Sequence, residues 1–423
     1  MIYFLGTIGI KVVERISSLR HKQGIWSLAD QGFVSLGGFL TNILLARYLP
    51  QADYGIYLLI YGILNFLTFG VHSALIVYPI SVKGAVAERT ELRLLTSHSL
   101  ILTMVLSLCS SIVVAGAVFA AAGKLDTAPA AFCYLFFWQI QETIRRALMS
   151  HLRHFEALWG DGLSYLGQAG IIWLFAQTGW LSIQTTFLAL ALTSAIAGAV
   201  QAMQLPLLIM APKVKDLWNY AKTAWNLGKW YLLSTLANIA TLQVTPWILA
   251  IFYGTKETAS VQSVMNILGV SHPILFSLVN LSVPALAKAN VEGGMKRVQK
   301  IAIKYGFQYG ILLFPFYGVL ILFPRNILEL LYGKTSAYLE LDTVLRVLVV
   351  SYLLLYISQI VSAIIAALEK SKLAFVAQVG SVGSGLLVGI PLTISMGALG
   401  SAFGNVLANA TRLVIYFFQF RKL

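Results

Sequence analysis

Apolar positions run along this chain in long unbroken blocks, and polar positions gather in the short intervals between them. Most blocks exceed the roughly 18–20 residues that a helix needs to cross a bilayer. The pattern predicts twelve transmembrane helices at approximately 25–48, 54–79, 96–122, 128–150, 159–179, 184–210, 230–253, 258–284, 304–323, 343–367, 373–395 and 398–419. The fifth block carries Asp161 at its start. No ten-residue runs of alternating polarity suggest a barrel. Residues 1–22 form a short apolar stretch, Ile2–Ile10, followed by Arg15, Arg20 and Lys22, and read as an interfacial segment on the cytoplasmic side.

Composition agrees. The 423 residues are 58% hydrophobic and only 11% charged, and mean hydropathy is +0.79. A water-soluble domain carries about 25% charged residues. A soluble enzyme is therefore excluded. The net charge of +14 does not call for nucleic acid, because basic residues collect in cytoplasmic loops. Assigning lysines and arginines to alternate sides places 23 on the side holding both termini and 6 on the other, with Arg412 inside a span. Both termini are expected in the cytoplasm. Cys109 and Cys133 lie in apolar blocks with no metal spacing or disulfide framework.

The two halves resemble each other at an offset of about 205. Gly24 and Trp26 align with Gly228 and Trp230, and Pro79 aligns with Pro284. Six spans per half is even, so the halves insert the same way up. The expected architecture is an all-α polytopic membrane protein, with twelve transmembrane helices in two six-helix lobes related by a pseudo-two-fold along the membrane normal. The lobes are expected at 23–212 and 213–423. Each lead helix is interrupted at a corresponding place, by Gly37-Gly38 in the first and Pro246 in the seventh, which makes these candidate hinges.

Polar residues within spans are candidate functional groups. Asp30, near the start of the first span, can carry a coupling proton or cation, or cap and bond its neighbours. Asn65 and His72 share a face of the second span. Gln139, Glu142, Arg145 and Arg146 form a stripe at the inner end of the fourth. That stripe can receive a head group, or pair internally at i,i+3 and i,i+4. Arg47 ends the first span near the outer surface, as a mouth residue or as an anchor paired with Asp53. Asn238, Thr241 and Thr245 recur at helical spacing beside Pro246. Asn405, Asn409 and Arg412 share a face of the twelfth span, where an arginine is costly unless it faces protein or water. The pairs Gly385/Gly389 and Gly400/Gly404 predict close packing of the last two helices. No metal-ligand cluster, paired catalytic carboxylates or Gly-rich phosphate loop appears, so no metal, cofactor or catalytic residue is expected.

The segments LLARYLPQADYGIYLLIYG, FPRNILELLYGKTSAY, LEKSK and GALGSAFGN resemble Wzx-type polysaccharide flippases of the multidrug/oligosaccharidyl-lipid/polysaccharide exporter superfamily. The resemblance implies two lobes forming a V around a central cavity that opens alternately inward and outward. It implies movement of undecaprenyl-pyrophosphate-linked oligosaccharides from the inner to the outer leaflet of a bacterial cytoplasmic membrane. Partners would be that substrate, membrane lipids, and polysaccharide polymerases or other assembly proteins. Phosphate recognition favours Arg and Lys, so the expected substrate contacts are Arg412, Asn409, Asn405, His72, Asn65, Arg47, Arg145, Arg146, Asn238 and Thr241. A cation-coupled multidrug antiporter of the same fold is the alternative.

Overall fold

The computed structural model describes residues 26, 29–84, 87–122, 126–205 and 213–420. The interfacial segment expected at 1–22 lies outside them, and so do Arg421 and Lys422. Among the described residues every regular element is helical. In chain order they are α1 (29–48), α2 (Gln51–Gly84), α3 (Arg89–Ala122), α4 (Thr127–Ser150), α5 (154–178), α6 (Ile183–Gln204) and α7 (Val214–Tyr253). Then follow α8 (Thr255–Gly269), α9 (His272–Leu322), the short α10 (Pro324–Tyr332), α11 (Asp342–Ala367) and α12 (371–420).

Two of these are hairpins. A straight helix of 51 residues such as α9 would be about 77 Å long, against a hydrocarbon core of about 30 Å. Gly293 and Gly294 break it; Gly294, at φ 61° and ψ −160°, adopts backbone open to glycine alone. Ser277 and Tyr309, 32 positions apart, then meet side chain to side chain at 2.9 Å. Only a chain that doubles back between them allows this. In α12 the break is Gly397, at φ 59° and ψ −131°. Ser381 Oγ donates to the Ala408 carbonyl at 2.8 Å across that turn, and Gly389 faces Gly404. Counting both arms of α9 and α12, and α8 with the first arm of α9 as one pass, the helices give the twelve crossings that the apolar blocks predict.

Several helices outrun their apolar blocks. α7 begins at Val214, sixteen residues before its block, and α3 begins at Arg89. Hydropathy marks only the part in hydrocarbon, whereas the backbone ladder continues into the interface.

The internal repeat reappears in the caps. α4 ends with Leu152 at φ 59° and α11 with Glu369 at φ 58°. Arg153 N–H donates to the Leu148 carbonyl at 2.9 Å, and Lys370 N–H to the Ile365 carbonyl at 3.1 Å. The fourth and tenth spans thus close with the same left-handed cap, each on a residue that has a Cβ.

The chain divides into two compact units. One comprises Met1–Leu44 and Ile60–Ala240, the other Leu45–Leu59 and Thr241–Leu423. The turn between α1 and α2 is anchored in the second unit. Gln51 Nε2 donates to Ser260 Oγ at 2.9 Å, and Asn266 Nδ2 to Tyr54 Oη at 2.9 Å.

Candidate functional site

The first unit holds a largely buried cluster of charge. α1 supplies Asp30, α4 supplies Glu142, Arg145 and Arg146, and α5 supplies Asp161. Spacing on α4 makes this possible: Glu142, Arg145 and Arg146 are three and four residues apart, so they share a face. Small residues let the helices close in. A Cβ on Gly37 of α1 would lie 2.5 Å from the Tyr165 backbone of α5, and one on Gly160 would lie 2.1 Å from Gln201 Nε2 of α6. Gly37, expected as a hinge, thus stands at the closest approach of α1 to α5, while Gly38 has open space beside it.

Arg145 is the hub. Its Nη2 donates to Asp30 Oδ2 at 2.7 Å, its Nη1 to Glu142 Oε2 at 3.2 Å, and its Nε to Asp161. Arg146 Nε holds the other oxygen of Glu142 at 2.6 Å. Gln201 Nε2 reaches Asp161 Oδ1 at 3.3 Å and the Ala157 carbonyl at 3.0 Å. Asp161 is fully buried, Asp30 is 2% exposed, and Glu142 and Arg145 are each 7% exposed. Taking charges out of water costs several kcal/mol per ion, repaid only by good pairing. Here three carboxylates face two guanidiniums, so the ionised cluster carries one surplus negative charge. Asp30 Oδ1 is buried and makes no hydrogen bond among the described residues. One further positive charge would neutralise the cluster.

A second polar chain runs beside the first. His72 Nε2 pairs with Thr143 Oγ1 at 3.0 Å, and Thr143 Oγ1 with Thr103 Oγ1 at 2.8 Å. His72 is fully buried, and its Nδ1 has no partner among the described residues. It sits in a π-helical stretch, Phe66–Val77; such widened turns concentrate at functional sites. Asn65 immediately precedes that stretch and lends its carbonyl to Thr68 Oγ1 at 3.3 Å. Gln139 Oε1 accepts from Ser110 Oγ at 3.3 Å.

The second unit holds the other expected contacts. Arg412 Nη2 reaches Ser381 Oγ at 3.3 Å, its Nε is buried without a hydrogen bond, and it has no acidic partner among the described residues. Asn409 Nδ2 donates to Ser351 Oγ at 2.9 Å, and Asn405 Nδ2 to the Ser401 carbonyl of its own helix at 3.0 Å. The carbonyl of Pro246 accepts from Thr258 Oγ1 at 3.0 Å. Arg47 is exposed, with its guanidinium 5.6 Å from the centre of the Tyr48 ring. The side chains of Asn238 and Thr241 lie outside the described residues. The sequence reading expected Glu142 to pair with Arg145 or Arg146 along one stripe, as it does, and named Asp30 and Asp161 apart from it; the fold joins all five. It missed Gln201, Thr103 and Thr143; the one available signal was a glutamine inside the apolar α6.

No family model and no curated protein matches this sequence. Solved structures do. An inward-facing multidrug resistance MATE family transporter of the MOP superfamily is similar with TM-score 0.74 at 15% identity, over 92% of this chain and 94% of that one. The lipid II flippase MurJ in an inward closed conformation is similar with TM-score 0.66 at 15% identity, over 94% and 87% of the two chains. A MOP superfamily transporter from Pyrococcus furiosus Vc1, described as having reversed binding-pocket polarity, is similar with TM-score 0.61 at 14% identity, over 94% of each chain. At these identities the likeness shows the fold, and the chain has the fold of the MOP superfamily transporters.

Proposed function

We propose that this protein is a flippase that moves undecaprenyl-pyrophosphate-linked oligosaccharide units from the inner to the outer leaflet of a bacterial cytoplasmic membrane, by alternating access, with both termini inside. The observation that carries the reading is how charge is spent. Among the described residues the carboxylates within apolar spans are Asp30, Glu142 and Asp161, and each has an arginine partner. Each of these acids faces a guanidinium, so none stands as an unpaired carboxylate for a cationic drug. Arg412, by contrast, is a cation with no acidic partner among the described residues. That balance suits an anionic substrate, whose pyrophosphate and hydroxyls cannot cross hydrocarbon unaided. The sequence resemblance to Wzx-type flippases points the same way.

A cation-coupled multidrug antiporter is the second reading. It is favoured by the likeness to MATE transporters and by the surplus negative charge of the Arg145 cluster. The two separate in one experiment. The purified protein in liposomes is offered a fluorescent undecaprenyl-pyrophosphate-linked sugar and, separately, cationic dyes under a proton or sodium gradient. Translocation of the lipid-linked sugar supports the flippase. Movement of the dyes alone replaces it with the antiporter.

A further inference from the structure

The first sixteen residues of α7 lie before its apolar block, and nothing in the proposed transport cycle uses them. Their two faces differ. On one, Tyr220, Ala224 and Gly228 recur every four residues and are buried. Tyr220 Oη meets Ser99 Oγ of α3 at 2.7 Å. A Cβ on Gly228 would lie 2.2 Å from the Ala74 carbonyl of α2, and Tyr231 stacks on Tyr78 of α2 with centroids 4.8 Å apart and planes 4° from parallel.

These partners set the depth. Ser99 lies near the inner end of the third apolar block and Tyr78 near the inner end of the second. The stretch 218–231 therefore runs past the level at which the hydrocarbon gives way to head groups, on the lysine- and arginine-rich side.

The other face carries Trp218, Lys222, Trp225 and Lys229, spaced i, i+4, i+7 and i+11, which is one helical stripe. Trp218 is 62% exposed and Trp225 52%. Lys222 Nζ sits 5.5 Å from the centre of the Trp218 ring. Lys213 and Lys215 extend the positive charge, with Asp216 as the one acid in residues 213–229. One turn further along, the stripe becomes apolar at the exposed Leu233, as a face turned to lipid tails would and a water-filled face would not. Tryptophan and lysine alternating at the membrane boundary combine an aromatic belt with a positive surface.

We infer that this stripe is a docking surface for anionic phospholipid head groups of the inner leaflet. Trp218 and Trp225 sit among the glycerol and ester groups, while Lys222 and Lys229 contact lipid phosphates. The lysines supply charge complementarity to a leaflet whose surface is negative. The assignment of leaflet rests on the orientation proposed above; the chemistry of the stripe does not.

The test uses full-length protein with Cys109→Ser, Cys133→Ser and Asn226→Cys, labelled with bimane at position 226. It is placed in symmetric phosphatidylcholine nanodiscs containing equal amounts of either brominated phosphatidylglycerol or brominated phosphatidylcholine. Both sides of the disc are alike, so the readout depends neither on orientation nor on transport. Each lysine near an anionic surface is worth up to about fivefold in association. Brominated phosphatidylglycerol is expected to quench about twofold or more above brominated phosphatidylcholine, with the ratio falling as salt is added. Lys222→Gln with Lys229→Gln should bring the ratio to about 1, and the paired Lys→Arg changes should preserve it. A ratio near 1 with the native lysines, or a preference that survives the Gln pair, would overturn the inference.

Discussion

Asp30 and Arg145 stand 115 positions apart in sequence and meet as a buried 2.7 Å ion pair that joins α1 to α4. The same guanidinium holds Glu142 and Asp161, so one side chain ties three helices. Removing one partner of a buried pair costs about 3–5 kcal/mol, because the other is left unsolvated. Arg145→Ala takes the guanidinium from Asp30 and Asp161 at once and leaves Glu142 with Arg146 alone. We expect it to lower stability by at least that amount, read as a fall in the thermal midpoint of detergent-purified protein. Arg145→Lys should recover only part, since an ammonium cannot hold three separate acids in the plane of a guanidinium. Unchanged midpoints would mean the cluster is solvated.

Asp30→Asn is expected to behave in the opposite way. The asparagine oxygen still accepts from Arg145, and losing one negative charge leaves two acids facing two arginines. Stability should hold or rise. If Asp30 is also where the surplus charge takes up a coupling proton or cation, transport driven by an ion gradient should be lost while the protein stays folded. Full gradient-driven transport by a stable Asp30→Asn protein would assign Asp30 a structural role only.

The last two arms make a separate prediction. A Cβ on Gly404 would come within 2.9 Å of the Gly389 Cα, whereas one on Gly383 meets nothing within 4 Å. Backbone cannot yield as a side chain tip can. Gly404→Ala should therefore cost about 1–3 kcal/mol. Gly383→Ala should be neutral or stabilising by up to about 1 kcal/mol, since alanine suits a helix better. Equal effects in unfolding measurements would argue against this packing.

How far the molecule was legible depends on the kind of signal. The twelve crossings were readable because burial in lipid imposes long apolar runs. So was the packing of Gly389 on Gly404, since small residues four apart permit close approach. The hub role of Arg145 was not readable. Its partner at i−3 is visible on the helix face, but Asp30 and Asp161 come from other helices, and no spacing rule links them. Nor was the extra length of α7 visible, because tryptophan and lysine dilute hydropathy where the helix enters the interface. The repeat was readable at an offset of about 205 in the first hairpins. The matching caps at Leu152 and Glu369 are 217 apart. The difference arises in the stretch holding α10, which has no counterpart among the described helices of the first half.

Orientation can be read by labelling. Val291, beside the break in α9, is 88% exposed, and Lys334, after α10, is also exposed. With both termini inside, a Val291→Cys protein lacking its native cysteines should resist an impermeant thiol reagent added outside intact cells. Lys334→Cys should react readily. The reverse pattern would invert the topology, and labelling of both would break the count between them.

Arg412 carries the most specific expectation about substrate. It sits eight residues before Phe420, where α12 ends, so a helix places it roughly 12 Å inside that end, too far for easy snorkelling. At such depth an arginine costs a few kcal/mol on insertion scales unless something polar faces it. Its nearest polar neighbour is Ser381 Oγ, at 3.3 Å, and its buried Nε has no hydrogen bond among the described residues. Asn409, one turn before it, is occupied by Ser351. An anion reaching this face would find a guanidinium with donors to spare, and pyrophosphate matches that geometry. Arg412→Ala is therefore expected to reduce flipping of a pyrophosphate-linked sugar at least tenfold, which corresponds to about 1.4 kcal/mol of lost interaction, with little change in thermal midpoint. Arg412→Lys should restore part of the rate by returning the charge without the fork. Ser381→Ala should have a small effect, because the hydroxyl only steadies the guanidinium. If Arg412→Ala flips at the native rate, or if it unfolds the protein while Arg412→Lys folds but does not flip better, the arginine is a packing element and substrate recognition lies elsewhere.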